Sequence, residues 1–189
     1  MPCIRTRSAV IGLAAVVAAL AFAVPASATT TYRVSGEQTA IDADAGKYLV
    51  SGGLIGKWTT TSFEEVATSP IYQGKGTEVF QGCLDRHRDR SCKGDPSGTL
   101  SFTFLYWAKF RSADPASMIW GSCWHPIASG TGDFVGADGV LAFVDTPTRK
   151  GLKTAYVGNV TVKNGKSGSR KRSTARAAAA TSGHCGSPA

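Results

Sequence analysis

Apolar and polar residues alternate along most of the chain, and the alternation is clearest in residues 100–111, LSFTFLYWAKFR. Every second residue there is apolar, so one face carries Leu100, Phe102, Phe104, Tyr106, Ala108 and Phe110. The opposite face carries Ser101, Thr103, Leu105, Trp107, Lys109 and Arg111. A period of two residues predicts a β-strand with one face turned to a core.

Shorter segments of the same kind lie between glycine-rich and polar turns. They predict further strands at residues 31–34, 48–50, 54–61, 78–84, 117–125, 140–145 and 155–162. No long helical periodicity and no internal repeat is visible, so the fold class is all-β. Gly52 and Gly53 either connect two strands, which gives a count of eight, or form a bulge in one bent strand, which gives seven.

Eight antiparallel strands with one apolar face predict a closed barrel. Closure removes the exposed sheet edges that would otherwise template aggregation. A two-layer sandwich is the alternative, because alternation does not reveal which strands pair. The predicted barrel domain covers residues 29–162, a length that suffices for a single core.

The first 28 residues have the pattern of a signal peptide. Arg5 and Arg7 precede an apolar stretch at 9–24, and Ala26-Ser27-Ala28 matches the small-x-small cleavage site. The stretch is shorter than the roughly 20 residues that a membrane-spanning helix needs. We therefore expect cleavage after Ala28 and a secreted, extracellular bacterial protein without a transmembrane segment; an uncleaved anchor is the alternative.

Residues 163–189 form a different compositional region. They contain no acidic residue, no aromatic residue and no apolar residue larger than alanine, which predicts a disordered basic tail. The residues between the leader and this tail comprise 13 basic and 13 acidic residues, so the domain has no net charge. We therefore do not expect it to bind nucleic acid specifically. The tail either contacts anionic envelope polymers, headgroups or nucleic acid, or is a solubilising extension without a partner.

Four cysteines are left once the leader and Cys3 are removed, and export would place them in an oxidising compartment. Cys83 and Cys92 bracket the polar segment LDRHRDRS, which predicts a disulfide that closes a turn. A metal site at this pair would need a second closely spaced Cys/His pair, which is missing. Cys123 either pairs with Cys185 or both are free.

The predicted barrel interior is aromatic. In residues 117–125 we assign Trp120 and Trp124 to the inward face, which places Cys123 and His125 on the opposite face. A filled core and a hollow ligand pocket are both compatible with this pattern, since small eight-stranded barrels do both. The candidate ligand-binding residues are Trp58, Phe102, Phe104, Tyr106, Phe110, Trp120, Trp124 and Tyr156.

Candidate chemistry is sparse. Cys123 and His125, two residues apart, suggest a nucleophile and base, but a disulfide-bonded cysteine beside a hydrogen-bonded histidine is the favoured interpretation. Asp85, Asp89 and Asp95 resemble a calcium loop, yet Arg90 occupies its turning position, so a solvated hairpin is expected. We predict no catalytic residue, no metal ligand and no cofactor.

Residues 130–141, GTGDFVGADGVL, carry a resemblance to a known family. The glycines permit tight turns, and Phe134 is the single large anchor among them. The pattern Gly130, Thr131, Gly132, Phe134, Gly136, Ala137 and Gly139, followed by Tyr156 and Gly158, resembles the allene oxide cyclase and dirigent β-barrel superfamily, and in particular its uncharacterised secreted bacterial members. A looser match runs through Gly53, Gly56, Gly76 and Gly82.

The resemblance implies an eight-stranded antiparallel barrel with a central apolar cavity, often in trimers. It also implies either cyclisation of a lipid epoxide or steering of phenoxy radical coupling. The acidic and basic pocket residues of the characterised members have no match here, so no catalytic role is transferred. The segment CLDRHRDRSC and the basic tail depart from the plant patterns.

The leading functional hypothesis is an exported barrel that binds a small apolar or aromatic molecule inside. One alternative is a cofactor-free cyclase or isomerase, which would need Glu78, Asp133 or His125 to point inward. The other is an envelope-associated interaction protein that uses the tail. Leu105 and Trp107 on the predicted outer face favour a homo-trimer or dimer, because exposed large apolar groups mark interfaces.

Overall fold

The computed structural model describes residues 28–68, 70–149 and 151–163. The predicted signal peptide lies outside the described residues except for Ala28, and so does the predicted basic tail except for Lys163.

The described chain is an all-β barrel of eight strands, as predicted. Each strand pairs antiparallel with the next, and β8 pairs with β1, which closes the sheet and excludes the sandwich. The strands are β1 (Thr29–Asp42), β2 (Lys47–Gly52), β3 (Leu54–Ala67), β4 (Tyr72–Leu84), β5 (Ser97–Phe110), β6 (Met118–Gly130), β7 (Asp138–Thr148) and β8 (Gly151–Lys163). Two short 3₁₀ turns, Pro115–Ser117 and Gly132–Phe134, precede β6 and β7.

Gly52 and Gly53 connect β2 to β3, so the count of eight strands is confirmed. Gly52 has a φ of 100°, which favours glycine, and the Gly53 N–H donates to the carbonyl of Ser35 at 2.8 Å. Both residues lack a Cβ, and this lets the connection pass close to β1. A Cβ at either position would lie within 3.0 Å of the β1 backbone. The two strands then pair antiparallel, with Val50 opposite Gly56.

One end of the barrel is closed by the loop that carries the glycine motif, and we call it the Phe134 end. The Phe134 side chain is fully buried, as the anchor interpretation expected. Gly130 is required beneath it, because a Cβ there would lie 2.2 Å from the Phe134 carbonyl oxygen. Aliphatic side chains complete the seal at this end: Leu54, Leu84, Leu100, Val160 and Val162 are all buried.

The opposite end is less tightly sealed, and we call it the Tyr72 end. Phe63, Tyr72, Phe110 and Leu152 pack against the core there but are only partly buried. The Tyr72 ring meets the Phe110 ring edge-on, with 6.0 Å between the ring centroids. The interior therefore has one closed end and one end at which its lining rings reach solvent.

The predicted Cys83–Cys92 disulfide is confirmed, with 5.5 Å between the two Cα atoms. It closes the loop between β4 and β5 on the outside of the barrel. Within this loop Arg86 Nε lies 2.7 Å from Asp95 Oδ1, and the Asp85 carboxylate accepts from the backbone N–H of Arg90 at 2.9 Å. The acidic residues thus serve the loop's own hydrogen bonds.

We expect Phe134→Ala to lower the free energy of unfolding by about 3–5 kcal/mol, since it removes a fully buried ring and leaves a cavity at the Phe134 end. Val135→Ala is the matched control, because Val135 is the next residue and its side chain is 63% exposed. We expect it to change the free energy of unfolding by no more than about 0.5 kcal/mol. Denaturant unfolding monitored by circular dichroism measures both. Equal effects of the two substitutions would show that Phe134 does not anchor the loop.

Candidate ligand-binding interior

An aromatic cluster fills the middle of the barrel, with Trp58 of β3 at its centre. The Trp58 ring stacks on Phe102 at 4.6 Å between centroids and lies 5.1 Å from Phe143 and 6.0 Å from Phe80. All four side chains are at most 1% exposed. They converge because each occupies an inward position of a different strand, at similar heights along the barrel.

A single carboxylate, that of Glu78 on β4, lies within this aromatic cluster and is 2% exposed. It accepts from the Trp58 indole N–H at 2.6 Å and from the Thr60 hydroxyl at 3.0 Å. Its Oε2 also lies 2.7 Å from Nε2 of His125. Three donors from three side chains offset the loss of water around a buried carboxylate, which would otherwise cost several kcal/mol.

The His125 ring is fully buried and surrounded by other rings. Its centroid lies 4.5 Å from that of Phe143 and 5.6 Å from that of Phe104, whose ring is roughly parallel to it. Carboxylate, imidazole and aromatic faces are thus gathered in one place. Such a pair can exchange a proton and hydrogen-bond a bound molecule, while the rings supply apolar contact.

Most of the predicted ligand-binding residues do line the interior. Trp58, Phe102, Phe104, Tyr106 and Tyr156 are each at most 3% exposed and belong to the core cluster. Phe110 is partly buried at the Tyr72 end, where it packs against the core and meets the ring of Tyr72.

The prediction for β6 was wrong. Trp120 and Trp124 lie on the outside, 39% and 51% exposed, whereas Cys123 and His125 point inward. The register explains it: Trp124 is paired with Leu105 and Ala142, both outward, and Cys123 with the inward Tyr106 and Phe143. Between two such rings a small side chain fits, and an indole would overfill the space.

The Tyr156 hydroxyl is engaged by backbone. It accepts from the Leu54 N–H at 2.9 Å and donates to the Ser51 carbonyl at 3.0 Å. Burial raises the pKa of Tyr156 to about 12. These bonds hold the β2–β3 connection, so the ring contributes an apolar face to the interior while its hydroxyl has a structural role.

Towards the Tyr72 end, β5–β8 also place small and polar side chains on the interior wall. Gly121 and Ala108 are paired across β5 and β6, and Asp145 and Thr154 across β7 and β8. Asp145 is 1% exposed and accepts from the Thr154 hydroxyl at 2.6 Å. Burial, and secondarily the Asp145 charge, raises the pKa of Tyr106. Asp145 continues the inward alternation of Leu141 and Phe143 but was not among the residues predicted from the sequence.

Cys123 is fully buried on the inward face and is disulfide-bonded. Because Cys83 and Cys92 bond to each other, the partner of Cys123 lies outside the described residues. A disulfide sulfur has no thiolate to attack with, so the nucleophile interpretation fails. His125 is instead the partner of Glu78, as the hydrogen-bonded interpretation expected.

The outside of β5–β8 carries a continuous apolar surface, which we call the outer apolar face. Leu105, Trp124, Val144 and Val157 are each about half exposed. A surface groove of about 1000 Å³ overlaps this face and runs across β3–β7, over Phe63, Phe104, Trp107, Trp124 and Val140. The members of the face are Leu105, Trp107, Trp120, Trp124, Pro126, Val140, Ala142, Val144, Ala155 and Val157.

Among the described residues, no cluster of three or more histidine, cysteine or acidic side chains has the arrangement of a metal site. Within the same part of the chain, no helix combines the length and apolarity that crossing a bilayer requires. Comparisons with protein-family models, with curated proteins and with solved structures give no match.

Glu78→Gln tests whether the carboxylate organises the interior. The amide offers a donor where three donors already converge, so we expect the free energy of unfolding to fall by about 1–3 kcal/mol. Glu64→Gln makes the same chemical change at an exposed position of β3 and should stay within about 0.5 kcal/mol of the parent. Urea unfolding measures both. A Glu78→Gln protein as stable as the parent would contradict the three-donor arrangement.

Proposed function

We propose that this protein is an exported β-barrel that binds a small apolar or aromatic molecule in its interior. The observation that carries the proposal is the Glu78–His125 pair, buried among aromatic rings. A barrel that needed only a stable core would gain as much or more from apolar residues of the same size, because the loss of water around two buried polar groups offsets much of their attraction. A few convergent polar groups between apolar walls are the usual composition of a binding site.

The chemistry of the lining indicates the class of ligand. Trp58, Phe102, Phe104 and Phe143 offer ring faces for a flat or aliphatic body. The Glu78–His125 pair offers one place for a hydrogen-bonding substituent. Apolar walls with a few convergent polar groups are the usual composition of small-molecule sites.

Export is supported by two features. Cys83–Cys92 and the disulfide of Cys123 both belong to an oxidising compartment. The leader pattern of residues 1–28 has the composition of a secretory signal. Kinship with the allene oxide cyclase and dirigent barrels is part of this proposal, supported by the closed eight-stranded meander and by the glycine motif around Phe134.

A cofactor-free cyclase or isomerase is the second candidate, and the inward position of Glu78 and His125 favours it. The two groups are 2.7 Å apart, close enough to share a proton and to act as acid and base on a confined substrate. Asp133 is exposed on the Phe134 loop, where it accepts from the Ser97 N–H, so it has no part in such chemistry. Envelope binding through the basic tail stays a separate prediction.

Binding of the apolar dye N-phenyl-1-naphthylamine to the full chain, oxidised and reduced, tests the ligand proposal. We expect saturable binding with one site per chain and a blue shift of the dye emission, because the interior excludes water. Ala108→Phe, which adds a ring to the inner wall, should weaken binding at least tenfold.

Ala142→Phe is the matched control, since it adds the same ring to the outer face of β7. It should leave dye affinity within twofold of the parent. Near-ultraviolet circular dichroism establishes that both variants are folded. Absence of dye binding in both redox states would contradict an interior site. Dye binding that is lost in Trp124→Ser but kept in Ala108→Phe would also contradict it and would place the dye in the surface groove.

The outer apolar face supports a homo-oligomer, with a second copy of this chain as its occupant. Ser122 is the polar exception among its central positions, and Lys109 lies opposite Trp120 at its edge. The outer surface of β1–β4, in contrast, exposes Arg33, Glu37, Lys57 and Lys75. An apolar centre with a charged surround is the anatomy of a subunit interface, and two copies can bury it together.

Trp124→Glu should therefore convert an oligomer of the parent chain into a monomer. A charge at the centre of a desolvated interface costs several kcal/mol, which corresponds to at least a hundredfold weaker association. Sedimentation velocity at micromolar concentration measures it, with Lys57→Glu on β3 as the control that leaves the oligomer intact. A monomeric parent chain at 100 times that concentration would refute the interface.

A further inference from the structure

Five inward-facing residues form one row across five neighbouring strands, and we call it the Asp145 row. Each member is paired with the next, in the order Gln38 (β1), Thr154 (β8), Asp145 (β7), Gly121 (β6) and Ala108 (β5). All five are buried. None carries a ring or a large apolar group, so the row differs from the ring-lined interior around Trp58.

Two buried oxygen atoms at this row have no hydrogen-bond partner in the part of the chain that the structure describes. They are Gln38 Oε1 and the Tyr106 hydroxyl oxygen, in side chains that are 8% and 3% exposed. An amide oxygen only accepts hydrogen bonds, and a phenol oxygen accepts as well as donates. Because buried polar atoms almost always have a partner, both oxygens indicate a donor that the described strands do not supply.

The Tyr106 hydroxyl and the Asp145 carboxylate meet beside Gly121. A Cβ at Gly121 would stand 3.0 Å from the Tyr106 hydroxyl oxygen and 3.0 Å from Asp145 Oδ2. Since glycine has no side chain, nothing of Gly121 separates these oxygens from a group that approaches through the interior. Burial, and secondarily the Asp145 charge, raises the pKa of Tyr106, so its hydroxyl keeps its proton at neutral pH. The negative charge at this place therefore belongs to Asp145.

We propose that the Asp145 row binds the protonated amino group of an apolar amine. The inference rests on the proposed function and names the class of its ligand, a small apolar or aromatic body that carries a primary ammonium group. Such a group has three N–H donors and no acceptor. It donates to the Asp145 carboxylate, the Tyr106 hydroxyl and Gln38 Oε1, and the carboxylate compensates the charge that the ligand buries.

Other end groups match the Asp145 row less well. A hydroxyl has a single donor, so it satisfies one of the three acceptors and leaves the other two. An ionised carboxylate has no donor at all and is repelled by the Asp145 charge. A purely apolar ligand leaves all three oxygens as they are.

The Tyr72 end supplies apolar contact for the body of the ligand. Tyr72 is paired with Ala108 of the Asp145 row, and Phe110 and Leu152 are the next inward residues of β5 and β8 towards this end. All three pack against the core but are only partly buried. The amino group thus lies deeper than the body, between apolar walls and a few convergent polar groups.

Calorimetric titration of the full, oxidised chain with three ligands of one ring system tests the class of ligand. At neutral pH, 1-naphthylmethylamine carries a cation, 1-naphthalenemethanol a neutral hydroxyl and 1-naphthoate an anion. We expect the amine to bind at least tenfold more tightly than the alcohol, and the alcohol more tightly than the carboxylate. An alcohol or a carboxylate that binds as tightly as the amine would overturn the proposal.

Asp145→Asn keeps the size of the side chain and removes its charge. We expect the tenfold preference for the amine over the alcohol to fall to within twofold, and a ratio measured in one variant does not depend on how much protein is folded. Asp138→Asn is the matched control, since it makes the same change at an exposed position of β7 and should keep the preference. A full preference in Asp145→Asn would refute recognition by this carboxylate.

Tyr106→Phe is the second variant and removes only a hydroxyl group. We expect the affinity for the amine to fall at least fivefold, because a hydrogen bond to a charged group is lost. The urea midpoint of unfolding should not fall, because this hydroxyl has no partner among the described residues. A merely structural hydroxyl would give the reverse, a lower midpoint with unchanged amine affinity, and that result would count against the site.

The neutral dye N-phenyl-1-naphthylamine, whose nitrogen is not protonated at neutral pH, separates this inference from the proposed function. Saturable dye binding without any preference for the amine would refute the amine site and leave the interior ligand proposal standing. An amine preference that Asp145→Asn abolishes, without dye binding, would establish the amine site and refute an apolar ligand. Binding of neither the dye nor the amine would refute both.

Discussion

Closure of the sheet between β1 and β8 is the constraint on which every other feature depends. The pairing runs from Thr29 opposite Lys163 to Gln38 opposite Thr154, so the first and last strands protect each other's edges. Closure also explains the alternation of apolar and polar residues, since one face of each strand lines an enclosed interior and the other forms the outer surface. Glu78 and His125, 47 residues apart in sequence, meet only because the closed sheet turns both inward.

The sequence predicts the barrel well because β5 alternates clearly: its phenylalanines and its tyrosine lie on one face, and Trp107 and Lys109 lie on the other. The face of β6 could not be predicted in the same way, since tryptophans stand on one side and a cysteine and a histidine on the other. On hydrophobicity alone, Trp120 and Trp124 are better core residues than Cys123 and His125. Interior volume decides against them, because Tyr106 and Phe143 already flank Cys123, and volume is a property of neighbouring strands.

The sequence names Glu78 and His125 only as residues that an enzyme would need inside the barrel, and it could not place them there for a related reason. Glu78 follows the inward alternation of β4, but a charged residue in an aromatic interior is rare. It becomes intelligible only once the Trp58 indole, the Thr60 hydroxyl and His125 are seen to converge on it. The inward position of such a polar residue thus follows from the strand register, which brings its hydrogen-bonding partners next to it, and not from its own hydropathy.

The two halves of the interior differ in what they can accept. Around Trp58 the rings pack against one another beneath the aliphatic seal at the Phe134 end. Beyond Tyr106 and Phe143, which flank Cys123, β5–β8 place the small or polar side chains of Ala108, Gly121, Asp145 and Thr154 on the inner wall. Protein interiors reach the packing density of organic crystals, so side chains of this size occupy less of the interior than the rings around Trp58 do.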